Sequence, residues 1–390
     1  MKKLRVLFFI LLCIWLVSCS TDGVQKGKII KVKKSYNTNL VPGTKRLTFP
    51  LNSRIVNRSI CILPYTAPDS SEYLFYLNGK GNDICIFSID SSKLVKTIKL
   101  QSEGPNGVGG MVRGFEVITF DSIYVTSALL RLLFIVNSDA KVISTIKYSK
   151  FKQDYPIQAG SSRTSDNNRL GFKNGKIYIS FHPPYDEGNY RSIKIGNIRY
   201  LAEIDPVKKE ANVLNIGFPA DYWKNHYYPL FVSSFIYKNK FYIHYMYDDR
   251  ILISNDSKNW KTYIIPSKYV DVKKVVRKGM SGWCINPNYF CFVPDPYRNV
   301  FYRFVVHEPS NIKNRTHMDL VQYPQKFSII ILDKDMNIIG ETIFPTDVYD
   351  MHGYFINKDG LYLSRSNPLN PEYDEDKLEF QLINLVKNEK

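Results

Sequence analysis

The stretch EYLFYLNGKGNDICIFSIDSSKLVKTIKL, residues 72–100, decides the fold. Its apolar residues fall in short runs, YLFYL, ICIF and LVKTIKL, each closed by Asn, Gly, Asp or Ser. Runs this short and this rich in aromatic and β-branched side chains read as strands, and the polar breaks between them as turns. The same order of strand, turn and strand returns in DSIYVTSALLRLLFIVNSDAKVISTIKY at residues 121–148, and in NGKIYISFHPPY from Asn174 continued by RYLAEIDPVKKEANVLNIGFP. It returns again in KNKFYIHYMYDDRILISNDSKNWKTYIIP from Lys238, in NVFYRFVVHEP from Asn299 continued by FSIIILDKDMNIIGETIFP, and in KDGLYLSRSNP from Lys358 continued by LEFQLINLVKN. These six copies recur every roughly 50–65 residues, enough for a four-stranded unit with its loops.

The fourth strand of the unit precedes several copies and starts by pairing a small residue with an aromatic one: Gly114-Phe115, Gly171-Phe172, Ser234-Phe235, Gly282-Trp283 and Gly353-Tyr354. Innermost strands crowd around an axis, so small residues let backbones approach while the rings fill the space between units. The expected fold is all-β, a six-bladed β-propeller occupying residues 41–390, whose closed ring leaves only short edges. Seven blades and two β-sandwich domains are the competing architectures. KGKIIKVKK, residues 26–34, is expected to complete the last blade as a latch, unless KLEFQLINLVKN forms that blade's own outer strand.

Ahead of the repeats, Lys2, Lys3 and Arg5 precede an apolar run over residues 6–17, the order of charge and apolar core found in an export signal. As a helix the run would rise only about 18 Å, short of the roughly 20 residues that span a bilayer. Leu16, Val17, Ser18 and Cys19 follow, and they resemble the bacterial lipobox, in which the signal is cut before a cysteine that becomes acylated. Residues 1–18 are therefore read as signal, Cys19 as the lipidation site, and residues 19–40 as tether. Ser20 rather than Asp after the cysteine resembles the sorting pattern of outer-membrane lipoproteins, with the periplasmic or surface side left open.

Export changes the meaning of charge. The chain carries a formal net charge of +17, to which Lys2, Lys3 and Arg5 of the signal contribute three. Nucleic acid is not the expected partner in that compartment, and the excess fits anionic glycans, lipopolysaccharide or lipid head groups, or else a solvated surface. Cys61, Cys85, Cys284 and Cys291 sit among apolar neighbours and read as free buried thiols, a Cys284–Cys291 bridge being the alternative.

The lipobox, EGPNGVG at residues 103–109, the following Gly114-Phe115 and DSIYV at residues 121–125, together with the repeat that runs to the C-terminus, resemble the TolB-like six-bladed β-propeller lipoproteins of Bacteroidetes. The resemblance spans nearly the whole mature chain and implies a propeller whose domain has no assigned function.

Motifs that carry chemistry fail on inspection. EGPNGVGG has no lysine and no hydroxyl at the positions a phosphate loop needs, and no helix follows it; it reads as the link between the first two blades, with a glycine-amide nest as the alternative. LDKDMNIIGE at residues 332–341 has Ile338 and Phe344 where a calcium loop needs Gly and Glu, so it reads as a hairpin turn. GMSGW lacks the second glycine of a serine elbow, and His307-Glu308 is not followed by a second histidine at the zinc-protease spacing. Asp248-Asp249 and EYDEDK at residues 372–377 read as solvated turn acids. No catalytic, metal or cofactor site is assigned.

Candidate ligand-binding residues come from PADYWKNHYYP, residues 219–229, where Tyr222, Trp223, His226, Tyr227 and Tyr228 are expected to offer rings to a sugar or a partner side chain, or to cover a seam between blades. Arg113 and His352 hold equivalent repeat positions, just before Gly114-Phe115 and Gly353-Tyr354, and are expected to line a channel mouth that holds an anionic group. The functional expectation is a monomeric, lipid-anchored module binding a glycan, peptide or protein partner. The runner-up is a polysaccharide lyase or hydrolase with a composite site at the axis.

Overall fold

The computed structural model describes residues 27–127, 130–148, 160–181, 194–224, 229–274, 282, 284–310, 312 and 315–388. The lipobox with Cys19, and His226, Tyr227 and Tyr228, lie outside the described residues.

The chain enters through β1 (Lys28–Ile30) and β2 (Thr38–Pro50). Blade one follows as β3 (Ile62–Thr66), β4 (Glu72–Leu77), β5 (Asp83–Ser88) and β6 (Lys93–Lys99), and blade two as β7 (Val112–Thr119), β8 (Ser122–Ser127), β9 (Leu132–Val136) and β10 (Val142–Lys147). Blade three holds β11 (Gly171–Lys173), β12 (Lys176–Ser180), β13 (Leu201–Asp205) and β14 (Glu210–Val213); blade four holds β15 (Val232–Tyr237), β16 (Lys240–Tyr245), β17 (Arg250–Ser254) and β18 (Trp260–Ile264). Blade five is β19 (Asn288–Asp295), β20 (Val300–Val306), β21 (Phe327–Leu332) and β22 (Ile338–Ile343), with a short helix α1 (His317–Gln322) between its second and third strands. Blade six, β23 (Asp350–Ile356), β24 (Leu361–Ser364) and β25 (Lys377–Lys387), takes its fourth strand from β2. The six-bladed propeller expected from the repeat is therefore the fold, and each blade is an antiparallel meander.

The latch differs from expectation. β1 does not complete blade six; it pairs in parallel with β18 and adds a fifth, outer strand to blade four. The ring is closed by β2, antiparallel to β25 from Thr38↔Lys387 to Pro50↔Lys377. Length and alternation decide this: β2 runs for 13 residues and buries Leu40, Leu47 and Phe49 between less buried neighbours, whereas β1 has three residues and leaves Ile29 exposed. The ring of Phe49 packs 5.2 Å from Phe87 of blade one and 6.5 Å from Phe380 of blade six, so the latch also seals the seam between first and last blades.

The core is a ring of inter-blade clusters. Phe75 and Phe115 fill the seam between blades one and two, Tyr178 and Phe241 that between three and four, and Phe235, Phe292 and Phe301 that between four and five. The small-then-large pairing holds on β7, β11, β15 and β23, but in blade five it falls on Cys291-Phe292, because β19 begins at Asn288 and Gly282 lies in the preceding loop. Cys61, Cys85, Cys284 and Cys291 are all free; Cys284 is half-buried and the other three are buried, so the bridge is absent.

Meander topology sorts the connections. Links after the first and third strands of every blade emerge on one face and are short, such as residues 174–175, 206–209 and 238–239. Links after the second and fourth strands leave and re-enter on the other face, and the longest of them join residues 147 to 171, 180 to 201, 264 to 288 and 306 to 327. The molecule thus has a short-turn face and a long-loop face.

Candidate functional site

The loop entering blade three does something the sequence did not advertise: residues 160–170, GSSRTSDNNRL, turn inward and plug the axis. Ser162, Thr164, Ser165, Asn167 and Asn168 are buried although polar, and their hydrogen bonds explain it. The Thr164 and Ser165 amides donate to the carbonyl of Ile60, the Ile62 amide donates to Thr164 Oγ1 at 2.6 Å, and Asn167 Nδ2 donates to the carbonyl of Phe292 at 2.7 Å. Tyr354 donates its hydroxyl to the carbonyl of Thr164 at 2.5 Å, and the Arg169 amide donates to Ser234 O. One loop is thereby tied to blades one, four, five and six. Blade two makes room for it: Gly114 has φ +136°, and a Cβ there would stand 1.5 Å from the carbonyl oxygen of Ser162. The only sequence signal is a polar run rich in Ser and Asn between two strands, which ordinarily means an exposed loop.

Below the plug, on the short-turn side, the inner strands enclose a cavity of about 380 Å³. Its walls are mostly apolar, including Leu63, Phe172, Phe235 and Phe355, and its polar groups include Arg169 and Glu116. These two neutralise each other, Arg169 Nε donating to Glu116 at 2.7 Å and Nη2 donating to the second carboxylate oxygen.

Above it, on the long-loop side, a groove of about 400 Å³ runs between blades one and two. Arg58, Lys80 and Arg113 line it beside Met111, Val112 and Ile60, and among the described residues no carboxylate does. Arg58 stacks its guanidinium 4.9 Å from the centroid of Tyr323 and donates to the Gln322 carbonyl; Lys80 reaches the Ser53 carbonyl at 3.1 Å. Among the described residues neither cation is paired with an acid. Burial, with the neighbouring Arg163 adding to it, pushes the Arg113 guanidinium below its ordinary value. The glycine link contributes no anion nest: the amides of Gly107, Val108 and Gly109 donate to the carbonyls of Gly104, Gln101 and Ser102.

Of the candidates named from sequence, Arg113 lines the groove and His352 does not. His352 sits on β23, its Nδ1 3.1 Å from Asp350 Oδ1 and its ring edge-on to Phe290 at 4.5 Å. Tyr222 is not an exposed ring: it is 3% exposed, packs on Phe218 and Tyr245, and donates its hydroxyl to the Pro229 carbonyl. Trp223 is half-buried against the same core cluster. Arg58 and Lys80 escaped the sequence reading because nothing in RSI or NGKGND distinguishes a groove cation from a solvated one.

The two acidic clusters differ: EYDEDK is a turn with Glu372, Glu375 and Asp376 exposed, as expected, whereas Asp248-Asp249 is drawn into the fold. Asp248 is 2% exposed and held by Arg250 Nε at 2.7 Å, while the carbonyls of Asp248, Asp249 and Ile265 accept from the fully buried guanidinium of Arg303, which also lies 3.5 Å over the Tyr289 ring. Glu372 is bound by Arg46 and Arg365, both at 2.8 Å. His307, Ser328 and Glu341 lie in contact, but Ser328 stands in the middle, Nε2···Oγ at 2.8 Å and Oγ to Glu341 at 2.7 Å, and all three are buried. The carboxylate therefore does not orient the imidazole as a nucleophilic triad requires. Among the described residues no group of His, Cys, Asp and Glu side chains is arranged to hold a metal ion.

Fold and site together define a six-bladed propeller closed by its own N-terminal strand, plugged at the axis, and open at a cationic groove. The chain belongs to the DUF4221 family, a domain of unknown function whose model matches residues 37–343. It is similar to the crystal structure of a DUF4221 member from Bacteroides vulgatus, with 24% identity, a TM-score of 0.77, and 91% of this chain and 100% of that one covered. It is also similar in fold to a candidate exported protein of Bacteroides fragilis, at 10% identity and a TM-score of 0.51, covering 92% of this chain and 100% of that one. No curated protein matches the chain.

Proposed function

We propose that the chain is an exported binding module, held at the outer membrane through acylated Cys19, that receives an anionic glycan in the groove of Arg58, Lys80 and Arg113. The groove's three cations, with no carboxylate among the described residues that line it, carry the reading. Support for export comes from the charged and apolar leader ending in LVSC and from the description of the Bacteroides fragilis neighbour as exported. The groove shape and charge suit carboxylated, sulfated or phosphorylated sugars, whose anions accept paired hydrogen bonds from a guanidinium.

The test is a glycan array probed with the soluble chain, residues 20–390, followed by titration of the best acidic hit. Arg58→Gln and Arg113→Gln should each weaken binding at least about tenfold, since a charge-assisted hydrogen bond contributes about 1.5–3 kcal/mol. Equal affinity in both variants would remove the groove from consideration. The Asp350–His352 pair favours one competing reading, an enzyme acting on anionic polysaccharide, because it supplies an acid and a base in reach of each other near the axis. Chain shortening of such a polymer, abolished by His352→Gln, would replace the binding reading with that one.

A further inference from the structure

We infer that the short-turn face of blades three to five is a membrane-docking surface for a bilayer rich in anionic headgroups. The turns of this sector carry Lys208, Lys209, Lys238, Lys240, Lys258 and Lys334, all exposed. The corresponding turns of blades one and two carry Asp69, Asp90, Asp121 and Asp139, with Lys93 and Lys141 beside them. The face is unevenly charged: a basic half rich in lysine stands against an acidic half in which aspartates outnumber lysines. The acids of the basic half are largely spoken for: Asp205 is bound by Lys176, Asp256 accepts from the amides of Lys258 and Asn259, Asp333 accepts from those of Asp335 and Asn337, and Asp335 pairs with Lys334; Glu210 is exposed.

Where the chain enters agrees with this polarity. β1 runs parallel to β18 with Lys28 opposite Lys261, two residues past the turn of residues 255–259, so the described chain begins at the short-turn end of blade four. From there the strand passes Ile338 of blade five, where Lys34 bridges to it, and reaches blade six at the same end, adding exposed Lys28, Lys31, Lys33 and Lys34 to the basic sector. The residues between Cys19 and Gly27 can extend at most about 30 Å. An acyl anchor on Cys19 therefore lies within that reach of the short-turn end of blade four.

Apolar side chains complete the footprint. Val207 is 88% exposed at the tip of the turn at residues 206–209, between Pro206 and two lysines, and Tyr297 is 52% exposed at the corresponding edge of blade five. Several acyl chains on one cysteine anchor a domain without fixing which way it faces, whereas a polybasic patch drawn to anionic headgroups sets its orientation. The lysines would turn the long-loop face, with its groove, away from the bilayer. The anchoring rests on the tether reading of Cys19, whereas the docking surface does not.

The test uses the unacylated chain, residues 20–390, in cosedimentation with vesicles of equimolar phosphatidylglycerol and phosphatidylcholine, and with phosphatidylcholine alone. Binding is expected to the first and not the second, and to fall with added salt. Lys208→Gln, Lys209→Gln and Lys238→Gln combined should weaken it about a hundredfold, at about fivefold per lysine, and Val207→Asp should weaken it further. Lys93→Gln with Lys141→Gln, on the acidic half of the same face, should leave it unchanged. Thermal melts confirm that each variant folds. No preference for anionic vesicles, or binding that survives the triple change, overturns the inference. Vesicle binding lost on Arg58→Gln and Arg113→Gln instead would move the contact to the groove and overturn it equally. Failure of the glycan titration leaves the vesicle result intact, so the two readings fall separately.

Discussion

At the scale of single residues, burial of charge and of titratable groups is what this fold spends its hydrogen bonds on. Arg303 lies at the seam of blades four and five, and its guanidinium answers three backbone carbonyls. Burial drives His307 down to about 4, with Lys326 adding to the effect, and His244 is pushed the same way by burial and by Arg303. Both imidazoles are neutral in the folded chain, while in the unfolded chain they bind protons near the ordinary value of 6.5. The unfolded state therefore takes up more protons as pH falls from about 6.5 to about 4, and stability present above that window is lost across it. Urea titrations should show His307→Gln losing less stability over this window than the parent, by about 2 kcal/mol. Parallel curves would mean that His307 is not held neutral.

At the scale of elements, the plug and the latch matter most, and they differ in how readable they were. The hairpins of DKDMN and NSDAK were plain, since Asp333 and Asn137 accept from the amides two and four residues on, the turn chemistry that such sequences announce. The plug was not plain, because a polar loop is buried only when distant carbonyls happen to stand ready for it, and those of Ile60, Phe292 and Ser234 lie far along the chain. Gly114 is the element's weak point. Gly114→Ala combines an unfavourable φ with a Cβ inside the Ser162 carbonyl, so it should cost about 3 kcal/mol or expel the plug. Hydrogen exchange at Thr164 and Ser165 distinguishes expulsion, which would speed their exchange; unchanged stability and exchange would mean that the plug is not held against β7.

At the scale of the whole molecule, ring closure by β2 makes the N-terminal segment part of the fold. A chain beginning at residue 51 leaves β25 as a bare edge and uncovers the cavity that Phe49 fills, so it should be recovered largely as aggregate. One beginning at residue 37 lacks only β1 and should melt cooperatively, within a few degrees of the longer chain. Comparable behaviour of the two would show that the ring closes without β2. The faces follow from the same closure: the loops that build the cationic groove and the turns that carry the lysines lie on opposite sides because every blade runs the same way around the axis.

Repetition in the sequence determined the strands, the blade count and the hairpin turns, because strand period and turn chemistry are local and were stated six times over. Which strand closes the ring, which loop fills its axis, and whether Tyr222 or Arg58 faces solvent were settled only by tertiary structure. Each of those outcomes depends on groups brought together from separate blades, and no window of sequence contains both partners.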